Sequence, residues 1–233
     1  FYNFLKTQSF SFIDLHKLEE SLDLGLYFDS SIPIGQGLGS SAALTARIFS
    51  EYCNVKGDIS EDELKSHLGL LESFFHGKSS GFDPLVCYLN KPINKRMNIL
   101  KIQKFKKQVY LVPTGRSRKV SDCMDVFEKS LEQANNKDVF FEDYIPPSNN
   151  CIETFVSGDD KFLESIEKLS TIQLGLYQNL IDNQVHSLWE HGLKSKDYFM
   201  KLCGAGGGGF YLAFSNNPTF VAPKKWINIR GLC

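Results

Sequence analysis

The chain of 233 residues lacks long apolar runs and any excess of charge of one sign. No run approaches the roughly 20 apolar residues that a membrane-spanning helix needs, and no basic start leads into an apolar core as in a signal peptide. Lys plus Arg is 26 and Asp plus Glu is 27, a net charge of -1, which argues against a broad surface for nucleic acid. We therefore expect a cytoplasmic protein without a membrane or nucleic-acid partner.

The chain also lacks clustered cysteines. None of its six cysteines forms a C-x-x-C pair or a Cys/His cluster, which excludes a zinc site or a disulfide framework of the usual spacing. Cys233 is the last residue of this sequence, and because a prenylation box needs three following residues, we do not expect one at this cysteine. We expect reduced thiols in a globular protein, since 42% of the residues are hydrophobic and 23% are charged.

Residue patterns predict a mixture of helices and strands that is typical of an α+β fold. Apolar stretches predict strands at residues 22–28, 85–89, 108–113 and 210–214. Alanine-rich and amphipathic stretches predict helices at 40–53, 61–75, 121–133, 159–181 and 184–193. The polar segment 135–150, which contains Pro146-Pro147, is predicted to be a connection.

The first motif that carries chemistry is the string PIGQGLGSSAA at residues 33–43. Its glycines allow a tight turn and close approach to a ligand, and the helix that follows presents free N–H groups that suit a phosphate. The glycine spacing is wrong for a dinucleotide-binding loop, and the Gly-Lys of a P-loop is missing. The alternative is a simple turn into a helix.

The second motif is ESFFHGKSSGFD at residues 72–83. A capping box at Ser60 starts the helix before it, and Glu72 lies roughly 70° from the centre of the apolar stripe, at the edge of the buried face. A carboxylate there can hold Mg²⁺ near phosphates, and Asp83 after a glycine turn can orient or deprotonate an alcohol. The alternatives are an ion-pair partner for Glu72 and an Asp-Pro turn for Asp83. His76 is interpreted as structural.

The third motif is KLCGAGGGG at residues 201–209. Five glycines in six positions are costly in chain entropy, and they allow close backbone packing and offer N–H groups to phosphates. A β-bulge or turn is the alternative. Cys203 is interpreted as a small buried residue rather than a nucleophile.

Together, in this order, the three motifs resemble those of the GHMP kinase superfamily. The first is similar to the superfamily's phosphate loop, Pro-x-x-x-Gly-Leu-Gly-Ser-Ser-Ala. The second is similar to the mevalonate kinase version, Glu-x-x-x-His-Gly-x-Pro-Ser-Gly-x-Asp, with Ser79 in place of Pro. The third resembles Lys-x-Thr-Gly-Ala-Gly-Gly-Gly-Gly, with Cys203 in place of Thr.

The resemblance implies ATP and Mg²⁺ as cofactors and a role for each matching residue. Asp83 is implied to be catalytic, and the metal is implied to be held by Ser40, Ser41 and Glu72. Ser80 and Arg118 are both more weakly implied to contact substrate; a solvated basic turn is the alternative at Arg118. The residues implied to bind nucleotide are Gly35, Gly37, Leu38, Gly39, Ser40, Ser41, Ala42, Gly204, Ala205, Gly206 and Gly207.

The resemblance also implies a two-domain α+β fold and phosphoryl transfer to a small primary alcohol, with mevalonate giving 5-phosphomevalonate as the expected reaction. Residues 1–104 would form an N-terminal, ribosomal-protein-S5-like α/β domain, and residues 105–233 a ferredoxin-like α+β domain. A homodimer is left open. The Lys-bearing Pro-Gly-Lys motif that the family has near its N-terminus is not found in this chain. The alternatives are therefore a kinase for another alcohol, such as a sugar or phosphomevalonate, and a truncated, non-catalytic pseudokinase.

Overall fold

The computed structural model describes residues 1–94, 96–103, 105, 107–116, 126, 128–129, 132, 136–204, 206–215 and 217–229. The chain divides into two compact units. Unit 1 contains residues 1–34 and 39–100, and unit 2 contains residues 35–38 and 101–233. The domain boundary after residue 104 stays a prediction of the sequence.

Unit 1 is built from helices. They are α1 (Tyr2–Gln8), α2 (Leu15–Asp23), α3 (Ser40–Tyr52), α4 (Glu61–His76) and α5 (Phe82–Leu89). Isolated antiparallel bridges join Ile13 to Cys53 and Ile93 to Ile99, and no longer strand occurs among the described residues of this unit. Its core contains Leu5, Leu18, Phe49, Leu64, Leu68, Leu71 and Leu85.

Helix α4 confirms the predicted capping box. The Ser60 hydroxyl accepts a hydrogen bond from the N–H of Glu63 at 3.2 Å, which satisfies one of the free donors of the first turn. Leu64, Leu68 and Leu71 lie on its buried face. The helix ends at Gly77, whose N–H donates to the carbonyl of Ser73.

The strand predicted at residues 22–28 is wrong. Residues 22 and 23 end helix α2, and residues 24–28 have no regular structure. The N–H groups of Leu24, Gly25 and Leu26 bond back to carbonyls of α2. They are therefore not free to form a strand ladder. Large side chains remain in water: Leu24 is 90% exposed and Tyr27 is 82% exposed.

The strand predicted at residues 85–89 is also wrong, because this stretch belongs to helix α5. Short apolar runs do not distinguish strand from helix by periodicity. Gly81 caps the helix, Asp83 lies in its first turn, and Pro84 occupies a first-turn position whose N–H would have no partner within the helix.

Unit 2 contains an antiparallel sheet in the order β2-β3-β1-β4. Its strands are β1 (Gln108–Pro113), β2 (Phe199–Leu202), β3 (Phe210–Ser215) and β4 (Ile227–Asn228). The predicted strands at 108–113 and 210–214 are thus confirmed, and they pair in the register Val109 to Phe214 and Val112 to Tyr211. Alternate residues of β1 enter two different apolar clusters, one with Tyr110 and one with Val109.

Unit 2 also contains helices, some of which pack on this sheet. They are α6 (Asn136–Asp138), which leads into a π-helix (Val139–Tyr144), α7 (Ile145–Ser157), α8 (Phe162–Leu176), a 3₁₀ turn (Gln178–Leu180) and α9 (Asn183–Ser195). The connection predicted at 135–150 is wrong: Pro146 and Pro147 stand in the first turn of α7, where proline is tolerated. Most of the helix predicted at 121–133 lies outside the described residues.

None of the helices in the described ranges is both long enough and apolar enough to cross a lipid bilayer.

Candidate active site

Glu72 is the central residue of the candidate site. It lies near the C-terminal end of α4 and is only 5% exposed, although it carries a carboxylate. Among the residues that the structure describes, no Lys or Arg forms an ion pair with it. Because a buried carboxylate needs compensation, its hydrogen bonds decide how it is held.

Two serine hydroxyls bind the two oxygens of Glu72. Ser41 Oγ donates to Oε1 at 3.2 Å, and Ser79 Oγ donates to Oε2 at 2.5 Å. Ser41 comes from the start of α3, whereas Ser79 comes from the loop after α4. The carboxylate is therefore clamped between the first turn of one helix and the loop that follows another.

A close backbone approach holds this loop in place. A Cβ added at Gly69 on α4 would lie 3.3 Å from the Cα of Gly81, and one added at Gly81 would collide with the carbonyl oxygen of Lys65. Only residues without side chains allow the loop to lie this close to α4. The approach brings Ser79 within reach of Glu72 on the same helix.

Helix α3 begins within the first motif, directly after its last glycine. Its N-cap is Gly39, at φ 76°, and no side chain of the described residues accepts from its first N–H groups. Ser40 and Ser41 are half-buried in the first turn, and Ala42 is fully buried. An uncapped helix start beside a glycine loop offers N–H donors and a partial positive charge to an anion.

Asp83 lies in the first turn of α5 and is exposed. Partial burial of its sulfur raises the pKa of Cys87, and the negative charges of Asp83 and Glu72 raise it further. Both carboxylates therefore lie within electrostatic reach of one thiol. Ser80 is also exposed, and its hydroxyl accepts from the N–H of Phe82 at 3.4 Å.

The residues of the glycine loop and the third motif lie next to each other in unit 2. A Cβ added at Gly209 would collide with the carbonyl of Gln36. The N–H of Gly209 donates to the carbonyl of Arg116, and that of Gly207 donates to Leu180, each at 2.7 Å. These two donors already have partners inside the protein. The loop residues Gly35 and Gly37 are exposed, and Leu38 is half-buried.

Other predicted residues of unit 2 are less informative. Gly204 is exposed and Gly206 is half-buried. Ala205 and Arg118 lie outside the described residues. Burial raises the pKa of the Cys203 thiol, which fits a small packed residue and not a nucleophile.

Sequence reasoning misses two residues of the site. In the sequence, Ser79 is only a departure from the family's proline, yet its hydroxyl binds Glu72. The sequence indicates only a structural role for His76 at the end of the helix, yet its Nε2 lies 3.1 Å from Ser41 Oγ. The spacing of four residues between Glu72 and His76, one helical turn, is the signal that both side chains reach the same neighbour.

The donor set around Glu72 fits a magnesium ion. Three oxygen-bearing side chains meet there, and Mg²⁺ prefers oxygen ligands with one or two carboxylates, completed by phosphates and water. No group of three or more His, Cys, Asp or Glu side chains that could hold a metal occurs in the described part of the chain. A metal at Glu72 would therefore depend on a phosphate ligand as well.

Residues 7–91 match the family described as GHMP kinases N terminal domain. Comparison with curated proteins gave no significant match. The superfamily resemblance that the motifs predicted is thus confirmed over the part of the chain that contains the first two motifs.

Solved structures share the fold at low sequence identity. A mevalonate kinase from L. major, in complex with R-mevalonate, is 17% identical with a TM-score of 0.55, over 77% of this chain and 57% of its own. A galactokinase from Lactococcus lactis, complexed with galactose, is 16% identical with a TM-score of 0.56, over 86% of this chain and 66% of its own. The predicted α+β fold of GHMP kinases is confirmed, and the chain spans less than two thirds of the length of these two proteins.

Proposed function

We infer that this chain, which carries a GHMP kinase N-terminal domain and has the fold of these kinases, transfers a phosphoryl group from ATP to a small alcohol. One observation carries the inference: a buried carboxylate with no cationic partner in the described part of the chain. It is held by one hydroxyl at the start of the helix that follows a glycine loop and by a second from the loop after its own helix. A buried carboxylate normally has a cationic partner, and Mg²⁺ with a nucleotide phosphate would supply one.

The residues of unit 1 have separate roles in this proposal. Glu72 and Ser41 would hold Mg²⁺, with Ser40 beside them at the start of α3. Bound there, the metal would neutralise phosphate charge during transfer. The N–H groups at the start of α3, with Gly35, Gly37, Leu38, Gly39 and Ala42 shaping the loop, would bind the phosphates.

Asp83 would accept or orient the proton of the attacking hydroxyl. Its position in the first turn of α5, where both its charge and that of Glu72 act on the Cys87 thiol, supports this role. Ser80, two residues before Phe82 and exposed, would contact the substrate, as would Arg118. Holding the alcohol in line with the phosphate and neutralising charge provide most of the rate in such reactions.

The third glycine motif would contribute to nucleotide binding through Gly204, Ala205, Gly206 and Gly207. Since the N–H of Gly207 already donates to Leu180, this segment would meet the nucleotide mainly by close backbone approach.

Mevalonate is the substrate that we propose, because the second motif matches the mevalonate kinase version from Glu72 to Asp83 except at Ser79. One structural neighbour holds R-mevalonate and another holds galactose, so a sugar is the main competitor.

A coupled assay of ADP release from the purified protein tests the proposal, with mevalonate, phosphomevalonate, galactose or no alcohol. We expect release with mevalonate only. Asp83→Asn should lower kcat by roughly 10²- to 10⁴-fold with nearly unchanged ATP affinity, while Asp62→Asn, an exposed acid in the first turn of α4, should leave kcat unchanged.

The metal role needs its own measurement. Glu72→Gln should raise the Mg²⁺ concentration for half-maximal activity by roughly tenfold or more, and Glu61→Gln on the same helix should not. Nucleotide binding without ADP release from any alcohol would contradict the proposal and favour a non-catalytic protein.

A further inference from the structure

We propose that His76 is a positioning residue, whose Nε2–H turns the Ser41 hydroxyl towards Glu72 and leaves one oxygen lone pair open to a cation. The hydrogen bond stands on geometry alone, and its use for a metal rests on the proposed function. His76 would thus do for Ser41 what a backbone N–H does for Ser79.

Two chains of hydrogen bonds lead to Glu72, one through Ser79 and one through Ser41, and we call each of them an arm. The direction of the hydrogen bonds is fixed in the arm through Ser79. The N–H of Gly81 lies 3.0 Å from Ser79 Oγ, and a backbone N–H can only donate. The oxygen of Ser79 therefore accepts this bond, and its single proton goes to Glu72 Oε2 at 2.5 Å. The order is N–H to hydroxyl to carboxylate.

The arm through Ser41 repeats this order if the ring carries its proton on Nε2. Ser41 Oγ lies 3.2 Å from Glu72 Oε1 and 3.1 Å from His76 Nε2. A hydroxyl has one proton, and an ionised carboxylate only accepts. When that proton goes to Glu72, the ring nitrogen must be the donor.

The other tautomer of His76, with its proton on Nδ1, would weaken the hydrogen bonding of Glu72. With an unprotonated Nε2, Ser41 would donate to the ring, and a lone pair of its oxygen would face Glu72 Oε1 instead of a proton. One oxygen of a buried carboxylate would then lose its donor, so this arrangement is disfavoured.

Together, the two arms leave serine oxygen lone pairs beside Glu72 that a metal ion can use. A hydroxyl oxygen has two lone pairs, and each serine uses one to accept an N–H. The second lone pair of each oxygen stays available beside the same carboxylate. Residues that orient metal ligands by hydrogen bonds typically change metal affinity by roughly 10- to 100-fold when they are replaced.

Nitrogen chemical shifts of the histidine rings test the hydrogen bond without any activity. In protein labelled with ¹⁵N-histidine, at alkaline pH where the rings are neutral, long-range ¹H–¹⁵N spectra distinguish the two tautomers. Comparison with His76→Gln assigns the signals. We expect His76 to carry its proton on Nε2 and its Nε2 signal to move in Ser41→Ala. An Nδ1–H tautomer, or a spectrum unchanged by Ser41→Ala, would overturn the proposal.

Binding of Mn²⁺ in the presence of ADP, measured by electron paramagnetic resonance, tests the consequence. His76→Leu has no donor and should weaken Mn²⁺ binding by roughly tenfold, while His76→Gln, which keeps an N–H, should retain most of it. His16→Leu, at an exposed histidine of α2, is the control and should change nothing. Circular dichroism checks that every variant is folded.

Equal affinity in the wild type and His76→Leu would overturn the positioning role. Glu72→Gln in the same titration keeps the two proposals apart. If it leaves Mn²⁺ binding unchanged, the metal role in the proposed function fails, and the ring spectra still decide whether His76 donates to Ser41.

Discussion

The loop that carries Ser79 makes a sharp prediction about stability. Gly81 and Gly39 are both N-cap residues with nearly the same positive φ, 75° and 76°. A Cβ added at Gly81 would collide with the backbone carbonyl of Lys65, whereas one added at Gly39 would meet only the Cβ of Ala42 at 3.8 Å. Alanine therefore costs a similar conformational energy at both positions, and at Gly81 it also causes a collision with the backbone of Lys65.

The magnitudes follow from these two terms. A left-handed conformation costs a residue with a Cβ about 1–2 kcal/mol, which is the whole expected loss for Gly39→Ala. Forcing an atom into a filled space costs about 1–3 kcal/mol more. A backbone carbonyl inside a helix cannot rotate away as a side chain does. Gly81→Ala should therefore lower the free energy of unfolding by about 2–5 kcal/mol.

Chemical denaturation followed by far-ultraviolet circular dichroism measures both losses. Fluorescence follows the unfolding of unit 2 separately, since the two tryptophans, Trp189 and Trp226, both lie there. Equal losses for Gly81→Ala and Gly39→Ala would refute the close approach of the loop to α4. Gly81→Ala should also weaken Mn²⁺ binding with ADP, because Ser79 would be displaced from Glu72.

Two further predictions concern unit 2. Gln173→Leu should lower the free energy of unfolding by about 1–3 kcal/mol, because the buried side-chain amide of Gln173 accepts a hydrogen bond at 2.9 Å from the N–H of Leu202, on the edge strand of the sheet. Chemical denaturation measures this loss, and the control Gln184→Leu, at an exposed glutamine, should change the free energy of unfolding by no more than about 0.5 kcal/mol. Burial raises the pKa of Cys151 from 9.0 to about 11, so its contribution to stability is complete below pH 9 and is lost as the pH rises through 11. Between these two pH values, Cys151→Ala should lose less stability than the wild type in parallel denaturation curves, and an equal loss would contradict the assignment.

Sequence reasoning succeeds where a local rule decides the structure. The capping box at Ser60 and the stop at Gly77 define α4, and both depend only on neighbouring residues. The strands at 108–113 and 210–214 follow from apolar and β-branched residues in stretches that find each other in an antiparallel sheet. The buried position of Glu72 follows from its angle to the apolar stripe.

The same reasoning fails in two situations. In one, a structure depends on contacts between residues that are distant in sequence. In the other, a helix cap decides the structure of a stretch that is too short for its apolar pattern to do so. Residues 22–28 alternate like a strand, but the backbone around Leu24 bonds to its own helix. The run 85–89 is too short for periodicity to decide, and the cap at Gly81 makes it a helix. Likewise, no local pattern shows that Ser41 meets Glu72 and His76, which follow it by 31 and 35 residues.

The apolar stretch that follows α2 has a practical consequence for anyone handling this protein. Hydrophobic surface is exposed to water at three side chains: Leu24 is 90% exposed, Tyr27 is 82% exposed and Ile34 is 89% exposed. Such surface adheres to other molecules as the solution becomes more concentrated. We expect higher yield, longer storage and better crystal growth when these three side chains are replaced by polar ones or covered by a mild detergent.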